Sequence, residues 1–446
     1  MKSLMKMIRQ VGESAISIVV SIILLLFNGI KYIVSMPSRF IGAVKEFFSD
    51  TDSVLKESLI ALSICAVGDL CAGIILGNME FFLETYPGLM VIIPGAIGMR
   101  GNIFGSFGSR LSTHLHIGTI SPEFKRSEFL DENIVASLIL TMVLSVLLAI
   151  IAKVICILFN FKSISIYDFV LISFIAGLLS TVIMLPITMF ISLKSFEGGW
   201  DPDNITTPFI AAVGDFFTLP ALILSVMIVN FIGFHSIVKI ALFAIVLILT
   251  AIALVLGYKA KSEIGHIVRQ STPVLFFCSI LGTLAGGILN NSISTLLNNQ
   301  TLLTLVPLFS GESGGLVSIL GARLSSGLHS GLIDPVLKPK KHTMENFIAI
   351  ITLAIVMYPL IGFLAESSTI GFGNIGVGYL PALSISFLSG MILIFIMLLV
   401  VFYISTISYR RGLDPDNIVI PMSTSLTDSI STLILIVVSL GILGMF

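Results

Sequence analysis

Apolar runs of about twenty residues, each closed by a short polar break, recur along nearly the whole chain. They fall near 58–77, 86–112, 133–159, 166–193, 205–231, 236–257, 272–290, 301–328, 345–365, 379–408 and 418–445. A helix of that length crosses a hydrocarbon layer of ~30 Å, so the pattern predicts an all-α polytopic membrane protein. A further apolar stretch, 15–36, carries Lys31 and follows Lys2, Lys6 and Arg9. It fits a twelfth span or a helix on the cytoplasmic surface, and a basic flank beside an apolar face suits the second. A cleaved signal peptide fits less well, for want of a good small-residue cleavage site.

Composition agrees with the pattern: of 446 residues, 56% are hydrophobic and 11% charged, where soluble domains carry roughly 25% charged residues. The polar gaps are too short for a soluble domain. A net charge of −1 argues against a nucleic-acid partner, which would call for a basic face. Cys65, Cys71, Cys156 and Cys278 all lie in apolar segments without metal-site spacing and read as small core residues. Basic residues mark the orientation. Lys45 and Lys56 precede the first run; Arg110, Lys125 and Arg126 follow the second, Lys194 the fourth, and Lys259, Lys261 and Arg269 the sixth. Lys338, Lys340 and Lys341 follow the eighth, and Arg410 and Arg411 separate the last two, whereas the alternate loops hold little beyond Lys162 and Lys239. The positive-inside rule then places a multi-pass chain in the cell membrane, its main body starting on the cytoplasmic side and its C-terminus outside.

One offset, 213 residues, relates two halves without a gap. Pro94, Gly98 and Gly101 map to Pro307, Gly311 and Gly314; Arg110-Leu111-Ser112 maps to Arg323-Leu324-Ser325, and His116 to His329. Asp201-Pro202-Asp203-Asn204 becomes Asp414-Pro415-Asp416-Asn417, and Asp215 becomes Asp428. A polar set repeated at one spacing implies duplication. The organisation expected is an N-terminal segment 1–56, a first five-span repeat 57–235, a connecting span and linker 236–269, and a second repeat 270–446. With one span between them, the repeats re-enter the membrane from the same side. They are therefore parallel about a pseudo-twofold axis along the membrane normal, a monomeric pseudodimer.

Asp215 and Asp428 each lie 14 residues beyond the aspartate that opens the segment, which at ~1.5 Å per residue is about 20 Å deep, near the bilayer middle. An ionised group there costs at least ~2.5 kcal/mol, and no basic residue in the same helix neutralises it. A protonated Asp bonded to a neighbouring helix is the bland alternative. Two facing carboxylates repel unless a cation or proton lies between them, and carboxylate oxygens select hard cations. Mg²⁺ retains several waters, so one or two carboxylates with carbonyl oxygens suffice for it, and Mn²⁺ and other divalent ions suit similar ligands.

Asp201 and Asp414 precede prolines that start helices, so N-capping competes with ion binding there. With Asp203 and Asp416 they would also concentrate cations at the cytoplasmic mouth. The stretch "PGAIGMRGNIFGSFGSRLS" (94–112) carries glycines that suit either close helix approach or unwinding, and Asn102 offers an amide oxygen. Its second copy has Gly315 in place of Asn102 and Glu312 in place of Met99, while Asp69 has Gly282 as its counterpart. The halves thus differ around the site, which suggests an off-axis ligand or a coupling ion. His114, His116 and His329 are expected at helix ends near the headgroups rather than as zinc ligands.

The glycine-rich segments 94–113 and 307–326, with the paired Gly-x-Asp-Pro…Asp segments, resemble the membrane domain of MgtE-type magnesium channels. The tandem form is more similar to their eukaryotic solute-carrier relatives, which fuse two such domains through a connecting helix. The resemblance covers about 57–235 and 270–446. It implies an ion pathway along the pseudo-twofold axis, with Asp215 and Asp428 matching the pore-lining aspartate. Asp201 and Asp414 match the acidic residue at the cytoplasmic end of that helix, and Asn102 the motif asparagine. Gly315, Glu312 and Asp69 depart from the bacterial pattern, and the large cytoplasmic regulatory domains have no match.

The function expected is therefore transport of a divalent cation, Mg²⁺ foremost, and not catalysis. A Na⁺- or H⁺-coupled exchanger is the near alternative, motivated by Asp69 and Glu312. An intramembrane aspartyl protease is distant: its acid and base need different environments, whereas equivalent repeat positions supply like ones.

Overall fold

A computed structural model describes residues 52–117, 120, 127–198, 202–232, 236–412 and 415–444. The expectation for 15–36 lies outside the described residues. So do those for Asp201 and Asp414 and for the side chains of Asp203, Asp416 and His116. The described chain is helical: α1 (Asp52–Gly77), α2 (Glu80–Thr85), α3 (Leu89–Ile117), α4 (Glu128–Leu158), α5 (Ile166–Glu197), α6 (Pro202–Ile232) and α7 (Ser236–Lys259). It continues with α8 (Glu263–Asn291), α9 (Ile293–Leu297), α10 (Gln300–His329), α11 (Lys341–Gly371), α12 (Tyr379–Arg410) and α13 (Pro415–Ile442). Among the described residues, eleven helices are long and apolar enough to cross a membrane, and they coincide with the eleven apolar runs. Local chemistry sets several ends. Ser127 and Ser165 cap α4 and α5 by accepting from Leu130 N and Asp168 N, and Gly412, at φ +66°, closes α12.

Packing between the halves comes in reciprocal pairs. The first long helix of each half lies against the second long helix of the other, α1 on α10 and α8 on α3. Glycines bring these backbones together. A Cβ at Gly73 would stand 2.3 Å from Thr304 O, and one at Gly286 would stand 2.2 Å from Val91 O. Both residues of the second contact lie 213 positions from their partners in the first. Lipid tails provide no hydrophobic drive between helices, so such close backbone approach is how dispersion holds them. The glycine-rich segments of α3 and α10 are continuously helical, so the unwinding reading does not hold. Close approach holds at Gly95, where a Cβ at Gly282 of α8 would stand 2.6 Å from its Cα, while Gly98, Gly101, Gly311 and Gly314 face a cavity between the halves.

Inside each half the polar bonds repeat as well. Arg110 Nε donates to Asn133 Oδ1 at 2.8 Å, and Arg323 Nε to Asn346 Oδ1 at 2.5 Å. Ser173 Oγ donates to Ser145 O at 2.8 Å, and Ser386 Oγ to Tyr358 O at 2.6 Å. α7 stays outside both halves, packed on α4, α5 and α8, and Lys239 ties it to Asp168 at 2.6 Å.

Candidate cation pathway

Asp215 sits near the middle of α6 and Asp428 near the middle of α13. Both line one cavity of about 70 Å³ enclosed by helices of the two halves. Its walls pair by the same offset: Leu76 with Leu289, Pro94 with Pro307, Gly98 with Gly311, Gly101 with Gly314, Ala211 with Thr424, and Asp215 with Asp428. The space holds roughly five waters. Among the described residues no three His, Cys, Asp or Glu side chains converge tightly enough to grip a bare metal ion. A space of this kind suits a cation that keeps part of its hydration shell.

The two carboxyls differ in their surroundings. Asp428 Oδ1 accepts from Ser310 Oγ at 2.7 Å, and its Oδ2 rests where a Cβ at Gly98 would lie 2.9 Å away. Asp215 has Ile97 where Ser310 would be, and meets the Asp69 side chain instead. The Asp69 carboxyl is wedged against α10, where a Cβ at Gly311 would come within 2.4 Å of Oδ2. Two carboxyls in contact need a proton or a cation between them.

Glu312 is 0% exposed and lies off the cavity wall, beside Cys65 and Asp69, with neither oxygen hydrogen-bonded. Asp69 Oδ1 likewise has no partner. At the equivalent place across the repeat, Met99 of the first half and Gly282 of the second stand for Glu312 and Asp69, and they border a pocket of about 10 Å³ beside Asp428, Cys278 and Ser425. Asn102 bridges the halves. Its Oδ1 accepts from Thr424 Oγ1 at 3.0 Å, and its Nδ2 donates to Ser425 Oγ at 2.9 Å. The asparagine therefore fixes α3 to α13 at the cavity wall.

Asp215, Asp428 and Asn102 are thus gathered at one cavity, with Asp69 and Glu312 set to one side. His114 and His329 sit in the last turns of α3 and α10, against Phe129 and Tyr409. The cysteines are free, and Cys65 and Cys278 occupy equivalent places behind the two aspartates. Arg100 escaped notice in the sequence, though its guanidinium is almost wholly buried. Comparing the two copies finds it, because Ser313 stands at its counterpart.

The model of the MgtE family, described as a divalent cation transporter, matches residues 93–225 and 306–438, two blocks separated by the same 213 positions. Solute carrier family 41 member 2 of Xenopus laevis is 23% identical over 88% of this chain and 73% of its own length. Member 3 of Rattus norvegicus is 24% identical over 90% of this chain and 93% of its own length. Member 2 of Homo sapiens is 24% identical over 85% and 69%. No solved structure matches. With two tandem copies of one family's domain covering more than half of its length, the chain belongs to the MgtE family of divalent cation transporters.

Proposed function

We propose that this chain carries Mg²⁺ across the membrane through the cavity between its halves, with Asp215 and Asp428 jointly holding the partly hydrated ion. The halves, 57–235 and 270–446, are read as parallel repeats about an axis along the membrane normal, joined through 236–269. The cytoplasmic face is the one bearing Arg110, Arg323 and the Asp-Pro-Asp-Asn segments. The observation that carries the reading is the single cavity walled by equivalent residues of both halves, with the two midhelix aspartates among them. Mg²⁺ is favoured because the two carboxylates are hard oxygen ligands and the cavity leaves room for part of its water shell. The test is Mg²⁺ flux into vesicles containing the purified chain; flux at the protein-free rate refutes the reading.

Coupled exchange is a second reading, supported by two buried carboxyls on one side only: Glu312, with neither oxygen hydrogen-bonded, and Asp69, with Oδ1 left without a partner beside Asp215. If they carry a coupling ion, flux follows a Na⁺ or H⁺ gradient, and Asp69→Asn removes that dependence. A gradient dependence that survives the exchange refutes this role.

A further inference from the structure

Arg100 carries a charge that the cation pathway does not use. Its side chain leaves α3 for the seam between α4 and α5, where Nη2 would lie 2.9 Å from a Cβ at Gly177. Nη2 reaches Ser145 Oγ at 3.4 Å, a weak bond, while Nε and Nη1 have no partner. Among the described residues no carboxylate pairs with it. An isolated guanidinium at membrane depth is expensive unless something neutralises it.

The seam is built of donors. Ser137, Thr141 and Ser145 recur every four residues on α4, along one face, and all are buried. Ser145 Oγ accepts from Arg100 Nη2 and keeps its own hydrogen. The one hydroxyl hydrogen of Thr181 faces Gly177 O at 2.9 Å and Thr141 Oγ1 at 3.2 Å, so Thr141 is engaged with Thr181. Ser137 Oγ has no partner. The second half is an internal control. There the α4 hydroxyls become Ile350, Ala354 and Tyr358, Thr181 becomes Ile394, and Arg100 becomes Ser313. Ser313 Oγ and Tyr358 Oη bond at 3.1 Å, so a large side chain from the opposite wall fills the gap and no charge is left over.

We propose that Arg100, with the hydroxyl of Ser145, holds a small monovalent anion of the halide class inside the first half. N–H and O–H donors with no carboxylate among them exclude a cation. The single guanidinium charge sets the anion as monovalent. Because a Cβ at Gly177 would already stand 2.4 Å from Ser145 Oγ and 2.9 Å from Nη2, the ion is placed on the unpartnered Nε and Nη1 side of the guanidinium rather than beside Gly177. The anion neutralises the guanidinium and ties α3 to α4 and α5, beside the helix that bears Asp215.

The test is thermal unfolding of the purified full chain in detergent, with chloride replaced by gluconate at constant Na⁺. Binding to the folded state alone raises the midpoint saturably with chloride. The double variant Arg100→Ser with Ser145→Tyr copies the pair that the second half already uses, and its midpoint is expected to ignore the exchange. Should the double variant not fold, Ser145→Ala is read instead; loss of one donor raises the half-saturating chloride about fivefold. A wild type indifferent to chloride, or variants that respond as it does, means that water alone fills the seam and overturns the proposal. Anomalous density from bromide beside Arg100 is the expected direct observation.

Discussion

Lys153 and Glu366 stand 213 residues apart and anchor the same loop of each half with opposite charges. Lys153 Nζ donates to Ile164 O and Ser163 Oγ, both at 2.8 Å. Glu366 accepts from Gly378 N at 2.8 Å, Val377 N at 3.2 Å and Thr301 Oγ1 at 2.8 Å. One half presents a loop carbonyl and a hydroxyl to a cation and the other presents N–H groups to an anion, so each loop follows its own latch.

Removing the anion latch strands three donors. Glu366→Ala is expected to lower stability by on the order of 3 kcal/mol, because buried groups bonded to a charge lose both the bond and their solvation. Lys153→Ala, at a partly exposed site, is expected to cost on the order of 1 kcal/mol. Unfolding midpoints in detergent measure both, and an Glu366→Ala midpoint equal to that of the parent contradicts the latch.

The paired aspartates give the sharpest transport test. Asp215→Ala or Asp428→Ala is expected to reduce Mg²⁺ flux in vesicles at least tenfold (on the order of 1.4 kcal/mol or more) with a parent-like unfolding profile. Transport at the parent rate by the double variant would end the assignment.

Close backbone contact predicts a mirrored pair of packing defects. Gly73→Ala and Gly286→Ala each push a methyl onto a backbone carbonyl, Thr304 O and Val91 O. Overpacking of this kind is expected to destabilise by about 1–3 kcal/mol. Gly371→Ala, where a Cβ meets nothing within 4 Å, serves as the silent control in the same unfolding assay.

If the acidic segments concentrate cations at the mouth, Asp203→Asn slows flux mildly at low salt and hardly at all at high salt. Initial rates across a salt series decide it, and a deficit independent of ionic strength counts against the idea.

The spans were legible because lipid demands an unbroken apolar run, and that demand is written residue by residue from Ser58 to Ile442. The cavity that carries the proposal was partly legible. Asp215 and Asp428 could be found because a carboxylate inside such a run is conspicuous, and more so when it occurs twice. What stayed hidden depended on neighbours distant in sequence. Asp69 meets Asp215 across two helices, and nothing in the chain order of Gly311 shows that its bare Cα receives the Asp69 carboxyl. Arg100 and Ser145 exchange roles with Ser313 and Tyr358. Only the two copies laid side by side show that trade of bulk between facing walls.

The crossed clasp of α1 on α10 and α8 on α3 restricts how the molecule can move. Each half grips the leading helix of the other, backbone against backbone, so swinging the halves apart as two rigid shells would unzip both seams at once. If the proposed pathway opens toward either aqueous side, the clasp favours bending or sliding of individual helices around a fixed waist over parting of the halves. Any such movement must also carry the Asn102 tie between α3 and α13, which crosses from one half to the other at the cavity wall.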